Sequence, residues 1–254
     1  MRTALGRGSA IWPPVVVAIL FLAIWQLLVL AFDIKPYLLP SPAAIIAQLL
    51  LAPQLVVASA TTTGVNALIG FAGGAVIAVV LAALASRIAL LDDASAPIVA
   101  AVAVLPIVSV APVLYAMYGA DSQGPRQVVA GIAVFAPVFL NTLRGLRQVR
   151  PVHRDLMRAL DASGWQLTRS VTVPGALPYL FTGLNVASSL AVISALVAEY
   201  FGGPQDGLGS AITSAAATSA TSTAWAYVTG AIALGLLFFG ATLALEWLVA
   251  RPRL

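Results

Sequence analysis

Residues 141–181 read NTLRGLRQVRPVHRDLMRALDASGWQLTRSVTVPGALPYLF and form the only long polar segment of an otherwise apolar chain. Six of the 13 basic residues lie here, opposed only by Asp155 and Asp161. Pro151 is typical of the first turn of a helix, where its missing N–H costs nothing. Asp161 can end that helix, because Asp tolerates the left-handed conformation better than most residues. We call residues 144–181 the polar loop.

The second half of the polar loop predicts another short helix. Ser163 and Gln166 have the spacing of a capping box, so the helix should begin there and carry Trp165. Val173-Pro174 should end it, and Pro178 should precede the next apolar run. Two short helices with a bend, held between two membrane spans, form a surface suited to docking another protein. The alternative is a basic loop that only sets the orientation of the chain in the membrane.

The composition is that of an integral membrane protein. The chain has 254 residues, is 61% hydrophobic and 9% charged, and has a mean hydropathy of +1.00, whereas soluble domains carry about a quarter charged residues. The absence of cysteine excludes disulfides, thiolate catalysis and cysteine metal sites. The net charge of +4 does not indicate a nucleic-acid partner, because the basic residues lie in short segments between apolar runs.

The apolar runs predict a single all-α domain over residues 1–254 with six transmembrane helices of about 20 residues each. The predicted spans cover residues 15–32, 64–85, 96–117, 128–143, 183–197 and 226–249. Three prolines predict kinks in the third span, and small residues at 70, 73 and 74 predict a close helix contact on the second. Residues 43–52 are too short to cross and predict an interfacial helix, and residues 202–225 are polar enough to be partly re-entrant.

The distribution of positive charge predicts the topology. With both termini in the cytoplasm, the cytoplasmic segments hold 11 of the 13 basic residues, and Lys35 and Arg126 lie in outer loops. The polar loop then faces the cytoplasm.

The sequence holds no sign of catalysis. Lys35 is the only lysine and lies beside Pro36, so the Gly-Lys-Ser/Thr phosphate loop of an ATPase is absent, and any ATP must be bound by a separate subunit. His153 is the only histidine and has no cluster of ligands around it, so we expect neither a metal site nor a cofactor. The glycines of residues 202–209 indicate a tight loop, since no strand–turn–helix context surrounds them.

The polar loop resembles the loop that defines the membrane subunits (permeases) of ABC importers. The family pattern is E-A-A, three residues, G, nine residues and I-x-L-P. In this chain, Asp155-Leu156-Met157 stands at E-A-A and Asp161 stands at the glycine. Val171-Thr172-Val173-Pro174 stands at I-x-L-P. The flanks LPIVSVAPVLYAMYGA (105–120), APVFLNTLRGL (136–146) and AEYFGGPQDGLGSAI (198–212) resemble permeases of the nitrate, sulfonate, taurine and pyrimidine-precursor group. The resemblance covers most of the chain after about Pro40.

The resemblance implies a type I importer permease in the inner membrane of a bacterium, which forms half of a dimeric pathway for a small organic solute. Its partners would be cytoplasmic ATPase subunits, an extracytoplasmic solute-binding protein and a second or sister permease. The ATPase-docking residues implied by the loop are Asp155, Leu156, Met157, Arg158, Ala159, Leu160, Asp161, Ala162, Ser163 and Trp165.

The fifth predicted span carries polar residues on one face. Asn185, Ser188, Ser189 and Glu199 fall near a common line at helical spacing and predict a stripe that faces the translocation pathway. The alternative is that small polar residues pack helices together and that Glu199 lies at the headgroup level.

Two other functions remain open from the sequence. An ion-coupled secondary transporter would need ionisable residues within the membrane, for which Glu199 is the one serious candidate. A membrane scaffold would not need the paired helices of the polar loop.

Overall fold

A computed structural model of the chain describes residues 12–249. Both termini, which the distribution of positive charge predicts to be cytoplasmic, lie outside this range. Within it the protein consists of helices joined by short turns, and it contains no strand. The all-α class is confirmed.

The described range contains eleven α-helices and one π-helical segment, which spans Thr168–Thr172. The α-helices are α1 (Trp12–Ala31), α2 (Pro42–Leu51), α3 (Pro53–Ala85), α4 (Ala89–Val104), α5 (Ile107–Tyr118), α6 (Gly124–Arg147), α7 (Pro151–Ala159), α8 (Gly164–Leu167), α9 (Val173–Tyr200), α10 (Leu208–Ala217) and α11 (Thr221–Val249). Five continuous helices are long and apolar enough to cross a membrane, and the bent pair α4–α5 makes a sixth if it counts as one span.

The second span is longer than predicted, because α3 begins at Pro53 and not at residue 64. The threonines before Gly64 do not interrupt the helix, since the hydroxyl of Thr61 bonds within it and that of Thr63 bonds to Glu199 of another helix. Thr61 Oγ1 donates to the carbonyl of Val57 at 2.8 Å, which satisfies the hydroxyl inside an apolar environment.

The third span is a broken helix. Its two halves, α4 and α5, meet at an angle of 86°, which is a sharper bend than the kinks predicted for residues 96–117. Pro106 has no N–H to continue the ladder and forces Leu105 into a non-helical conformation, with φ −57° and ψ 122°. Pro97 and Pro112 lie inside α4 and α5 without ending either helix.

The prediction that Val173-Pro174 ends the second loop helix was also wrong. α8, the π-helical segment and α9 form one continuous helix from Gly164 to Tyr200. Pro174 lies in the first turn of α9, and the π turn before it lets the N–H of Val173 donate to the carbonyl of Thr168. The fifth span therefore begins inside the polar loop.

α6 lies at the centre of the bundle and makes its largest contacts with α9 and α3. A methyl group on Gly70 would lie 2.5 Å from the carbonyl oxygen of Gln127, and one on Gly74 would lie 2.5 Å from that of Gly131. The two glycines therefore let α3 approach the backbone of α6 closely. Gly73 has nothing within 4 Å of its methyl position, so the predicted contact is confirmed for Gly70 and Gly74 and is wrong for Gly73.

Candidate functional site

The first helix of the polar loop, α7, ends in a backbone cap. Asp161 has φ 50°, the left-handed conformation predicted for it. Its N–H donates to the carbonyl of Arg158 at 3.0 Å, and the N–H of Ala162 donates to that of Met157 at 2.9 Å. This pair of bonds is the Schellman motif, which satisfies carbonyls at the helix end and turns the chain.

The next helix starts two residues later with the predicted capping box. Ser163 Oγ accepts from the N–H of Gln166 at 3.3 Å, and Gln166 Oε1 accepts from the N–H of Ser163 at 2.6 Å. The angle between α7 and α8 is thus fixed by local bonds at both sides of Asp161. The two-helix form of the loop is present in the isolated chain.

This folded loop leaves large apolar side chains uncovered. Leu156, Leu160 and Trp165 are 58%, 67% and 69% exposed. Of the ten predicted docking residues, Met157 and Ala162 are half-buried and the other eight are exposed. Asp155 and Arg158 form an exposed ion pair at 3.3 Å within α7. Such a patch indicates an interaction site, and its assignment to an ATPase remains a prediction.

The loop is attached to the ends of the other helices by polar contacts. Arg147, at the end of α6, forms an ion pair with Asp92 of α4. Arg87, which follows α3, donates to Thr168 Oγ1 in the π-helical segment at 3.1 Å. The loop end of the bundle therefore joins α3, α4 and α6 to the start of the long helix.

The opposite end of the bundle contains a buried charge cluster. The side chains of Arg126 and Glu199 are fully buried, with 3.6 Å between Nη1 and Oε1. Arg126 also donates to Asp206 at 2.7 Å and to Gln123 at 2.8 Å, and it contacts the carbonyl of Pro204. A guanidinium has five N–H donors, and the acceptor oxygens of Asp206, Gln123 and Pro204 take the place of water around it.

Glu199 has its own donors, which come from two other helices. Thr63 Oγ1 donates to its carboxylate at 2.9 Å and accepts from the N–H of Leu208 at 2.9 Å, while the N–H of Gly209 donates to it at 2.7 Å. The first turn of α10 is thus capped by side chains of α3 and α9. A methyl group on Gly207 or Gly209 would overlap Glu199, which explains the glycines at these two positions.

Sequence reasoning missed most of this cluster. Arg126 was placed in an outer loop, and the structure places it inside the first turn of α6. Thr63 and Asp206 were not predicted as functional, and Glu199 was predicted at the pathway or at the headgroup level. Their partners are far apart in sequence, so the available signal was a lone arginine and a lone glutamate, each at the end of an apolar helix.

The structure does not bring the four predicted pathway residues together. Asn185 donates to Glu246 of α11 at 2.7 Å, and Ser188, which is fully buried, donates to the carbonyl of Asn185 at 2.8 Å. Ser189 lines a cavity of about 400 Å³ between α9 and α11. Glu199 belongs to the buried charge cluster. Ser188 and Glu199 thus pack within the chain, and the pathway assignment of the four residues remains a prediction.

Known proteins are similar in sequence to most of this chain. The family model for the binding-protein-dependent transport system inner membrane component matches residues 74–254. The riboflavin transport system permease protein of Chloroflexus aurantiacus is 31% identical over 79% of this chain and 76% of its own. The formylaminopyrimidine transport permease protein of Halalkalibacterium halodurans is 29% identical over 77% and 78% of the two chains. For the nitrate import permease protein of Synechocystis the identity is 28%, over 75% and 72%.

The matched residues include the whole polar loop, the broken helix and Arg126, Glu199 and Asp206 of the buried charge cluster. Together with the membrane-spanning helices, they show a multi-pass inner membrane protein. The chain belongs to the family of inner membrane components, or permeases, of binding-protein-dependent transport systems.

Proposed function

We propose that this permease forms half of the translocation pathway of an ATP-driven importer and docks a separate cytoplasmic ATPase through α7 and α8. The observation that carries the proposal is the preformed loop with its uncovered Leu156, Leu160 and Trp165. A loop whose only role is to set orientation does not need two caps to hold apolar side chains in solvent. A partner that covers them would gain roughly 25 cal/mol per Å² of apolar surface removed from water.

The continuous helix Gly164–Tyr200 supports a route by which the ATPase acts on the membrane part. One end of this helix lies in the docking surface, and the other end carries Glu199. A change in the ATPase on binding ATP shifts the permease only if the loop makes different contacts in the two ATPase states. The π-helical segment lies between the docking residues and the span, where a wider turn allows bending.

Membership of the family supports the other parts of the proposed assembly. A solute-binding protein delivers the solute at the end opposite to the loop, and a second copy or a sister permease completes the pathway. ATP is bound by the ATPase, so this chain is not itself an enzyme and holds no cofactor. Both termini lie in the cytoplasm, and nucleic acid has no role.

The solute is a small organic molecule or anion. Relatives are named for riboflavin, formylaminopyrimidine and nitrate transport, which favours a heterocyclic or anionic solute. Asn185, Ser188, Ser189 and Glu199 are the residues proposed to face the translocation pathway. Ser189 lines the cavity between α9 and α11.

The sharpest test is Ala159→Arg. Ala159 is exposed on α7 beside Leu156 and Leu160, so an arginine side chain at this position would be solvated in the free chain. On docking it would be buried, where an unpaired charge costs several kcal/mol. We expect the variant to insert normally and to lose co-purification with the ATPase of its own transport system. ATP-driven uptake in proteoliposomes should be lost with it.

Two variants control this experiment. Ala159→Ser keeps the side chain small and should bind the ATPase normally. Asp161→Gly retains the left-handed conformation, which glycine adopts freely, and should be tolerated. ATPase binding and full uptake by Ala159→Arg would show that this surface does not couple the two subunits. Uptake driven by an ion gradient without ATP would favour a secondary transporter.

A further inference from the structure

The break between α4 and α5 leaves the backbone of the third span open. α4 ends at Val104 and α5 begins at Ile107, with the axes at 86°. In a continuous helix, the N–H groups of Ile107 and Val108 would donate to the carbonyls of residues 103 and 104. Across the bend, neither of these two bonds is formed.

Local caps do not replace the lost bonds. The N–H of Leu105 donates to the carbonyl of Val102 at 3.3 Å, and the carbonyl of Pro106 accepts from Ser109 at 2.8 Å. Pro106 offers no side-chain cap to α5. Two donors and two acceptors, at residues 107, 108, 103 and 104, therefore have no partner among residues 12–249.

The break lies at mid-height in the bundle. Asp92 near the start of α4 pairs with Arg147 at one end of α6, and Tyr115 near the end of α5 meets Arg126 at the other. Between them, Val102 shares an apolar cavity of about 430 Å³ with residues from the middle of α3 and α6, which include Gly73 and Phe135. Residues 94–117 contain no charged side chain, as expected within the hydrocarbon region.

The surface at the break faces away from the chain. Val104 is 79% exposed and Val108 is 51% exposed, so no other helix of the described range covers this site. Lipid tails cannot bond to the open backbone, and each unsatisfied group in hydrocarbon costs several kcal/mol. Irregular backbone at membrane depth is tolerated only where it is buried in protein or lines a water-filled cavity.

We propose that residues 103–108 form part of the wall of the water-filled translocation pathway. The inference deepens the proposed function and rests on it, since a monomer has no enclosed pathway at this surface. The open N–H and C=O groups, together with the exposed hydroxyl-bearing Ser109, offer both donors and acceptors to water and to a passing solute. A solute with hydrogen-bonding groups, such as a heterocycle, suits this edge.

The test introduces a single cysteine into this chain, which has none of its own. The two variants are Val104→Cys and Val108→Cys, one on each side of the break. In membranes open on both sides, the probe is a charged methanethiosulfonate, which reacts with the thiolate and needs water to reach it. Leu22→Cys, an exposed position in the middle of α1, is the lipid-facing control. We expect the break positions to react at least about tenfold faster than Leu22→Cys, because thiolate forms only where water has access.

Labelling of both break positions as slow as that of Leu22→Cys would overturn the inference. A spontaneous disulfide between two copies at Val104→Cys, together with that slow labelling, would place the break in a dry interface. ATPase co-purification and ATP-driven uptake are measured on the same variants. Fast labelling without an associated ATPase would contradict the proposed function while water access at the break remained established.

Discussion

Arg126 shows how a single charged residue can be kept inside a membrane bundle. Its guanidinium is completely buried and lies within 3.6 Å of Glu199 and 2.7 Å of Asp206. The Asp206 side chain is 44% exposed and keeps partial contact with solvent, whereas Glu199 depends on Thr63 and Gly209 for its remaining bonds. The cluster therefore fixes α3 and the ends of α6, α9 and α10 relative to one another.

Removing Arg126 should be far more damaging than neutralising Asp206. Arg126→Met leaves Glu199 buried without its cation, and breaking a buried pair in this way costs about 3–5 kcal/mol. Asp206→Asn keeps one acceptor oxygen at a partly exposed position, so we expect a loss of about 1 kcal/mol or less. Thermal unfolding of the purified protein in detergent measures both changes.

The double variant Arg126→Met with Glu199→Leu measures how much of the stability lost in Arg126→Met is caused by the unpaired charge of Glu199. If the buried charge of Glu199 is the main penalty, the double variant should recover stability relative to Arg126→Met. Equal stability of Arg126→Met and the unmodified protein would contradict a structural role for the cluster.

Among whole elements, the contact between α3 and α6 depends on two glycines one helical turn apart. Gly70 and Gly74 face backbone atoms of α6, which cannot move aside as the end of a flexible side chain can. Gly73 lies on the same helix but faces open space. The three positions therefore provide a matched comparison within one element.

We expect Gly74→Ala and Gly73→Ala to have opposite effects. The methyl group at 74 would lie 2.5 Å from the carbonyl oxygen of Gly131, so the helices must separate, and strain of this kind costs about 1–3 kcal/mol. At 73 the methyl group meets nothing, and alanine favours the helix by up to about 1 kcal/mol over glycine. The fraction of folded protein after heating in detergent should fall for the first variant and stay equal or rise for the second; the same loss in both would show that the close approach is not limiting.

The elements that could be predicted from the sequence are those whose signal is local. Hydrophobic runs predicted the all-α class and the five or six long apolar helices. Ser163 with Gln166 located the start of α8, because caps are made by neighbours in the chain. Two local signals were less reliable. Pro106 was predicted to kink the third span, and the helix is broken there. Val173-Pro174 was predicted to end a helix, but the π-helical segment lets the helix continue through it. The charge cluster could not be predicted, since Thr63, Arg126 and Glu199 meet only through packing of three separate helices.

At the scale of the whole molecule, the two ends of the bundle differ in chemistry. One end carries the exposed arginines and apolar side chains of the polar loop, and the other carries the buried charge cluster and α10. Since cytoplasmic segments of membrane proteins are rich in arginine and lysine, the loop end should face the cytoplasm. This orientation is also the one in which an ATPase can reach α7.

Single cysteines at the two ends test the orientation of the whole molecule. Ser219 follows α10, and Ser170 lies in the π-helical segment; both side chains are exposed and a cysteine is close to serine in size. In sealed cells, a membrane-impermeant maleimide should label Ser219→Cys and should reach Ser170→Cys only after the cells are opened, because the 11-to-2 division of basic residues predicts that the loop end is cytoplasmic. Arg253→Cys, beyond the described residues, should behave like Ser170→Cys. The reverse pattern would place the docking surface outside the cell, where no ATP-driven partner could bind it.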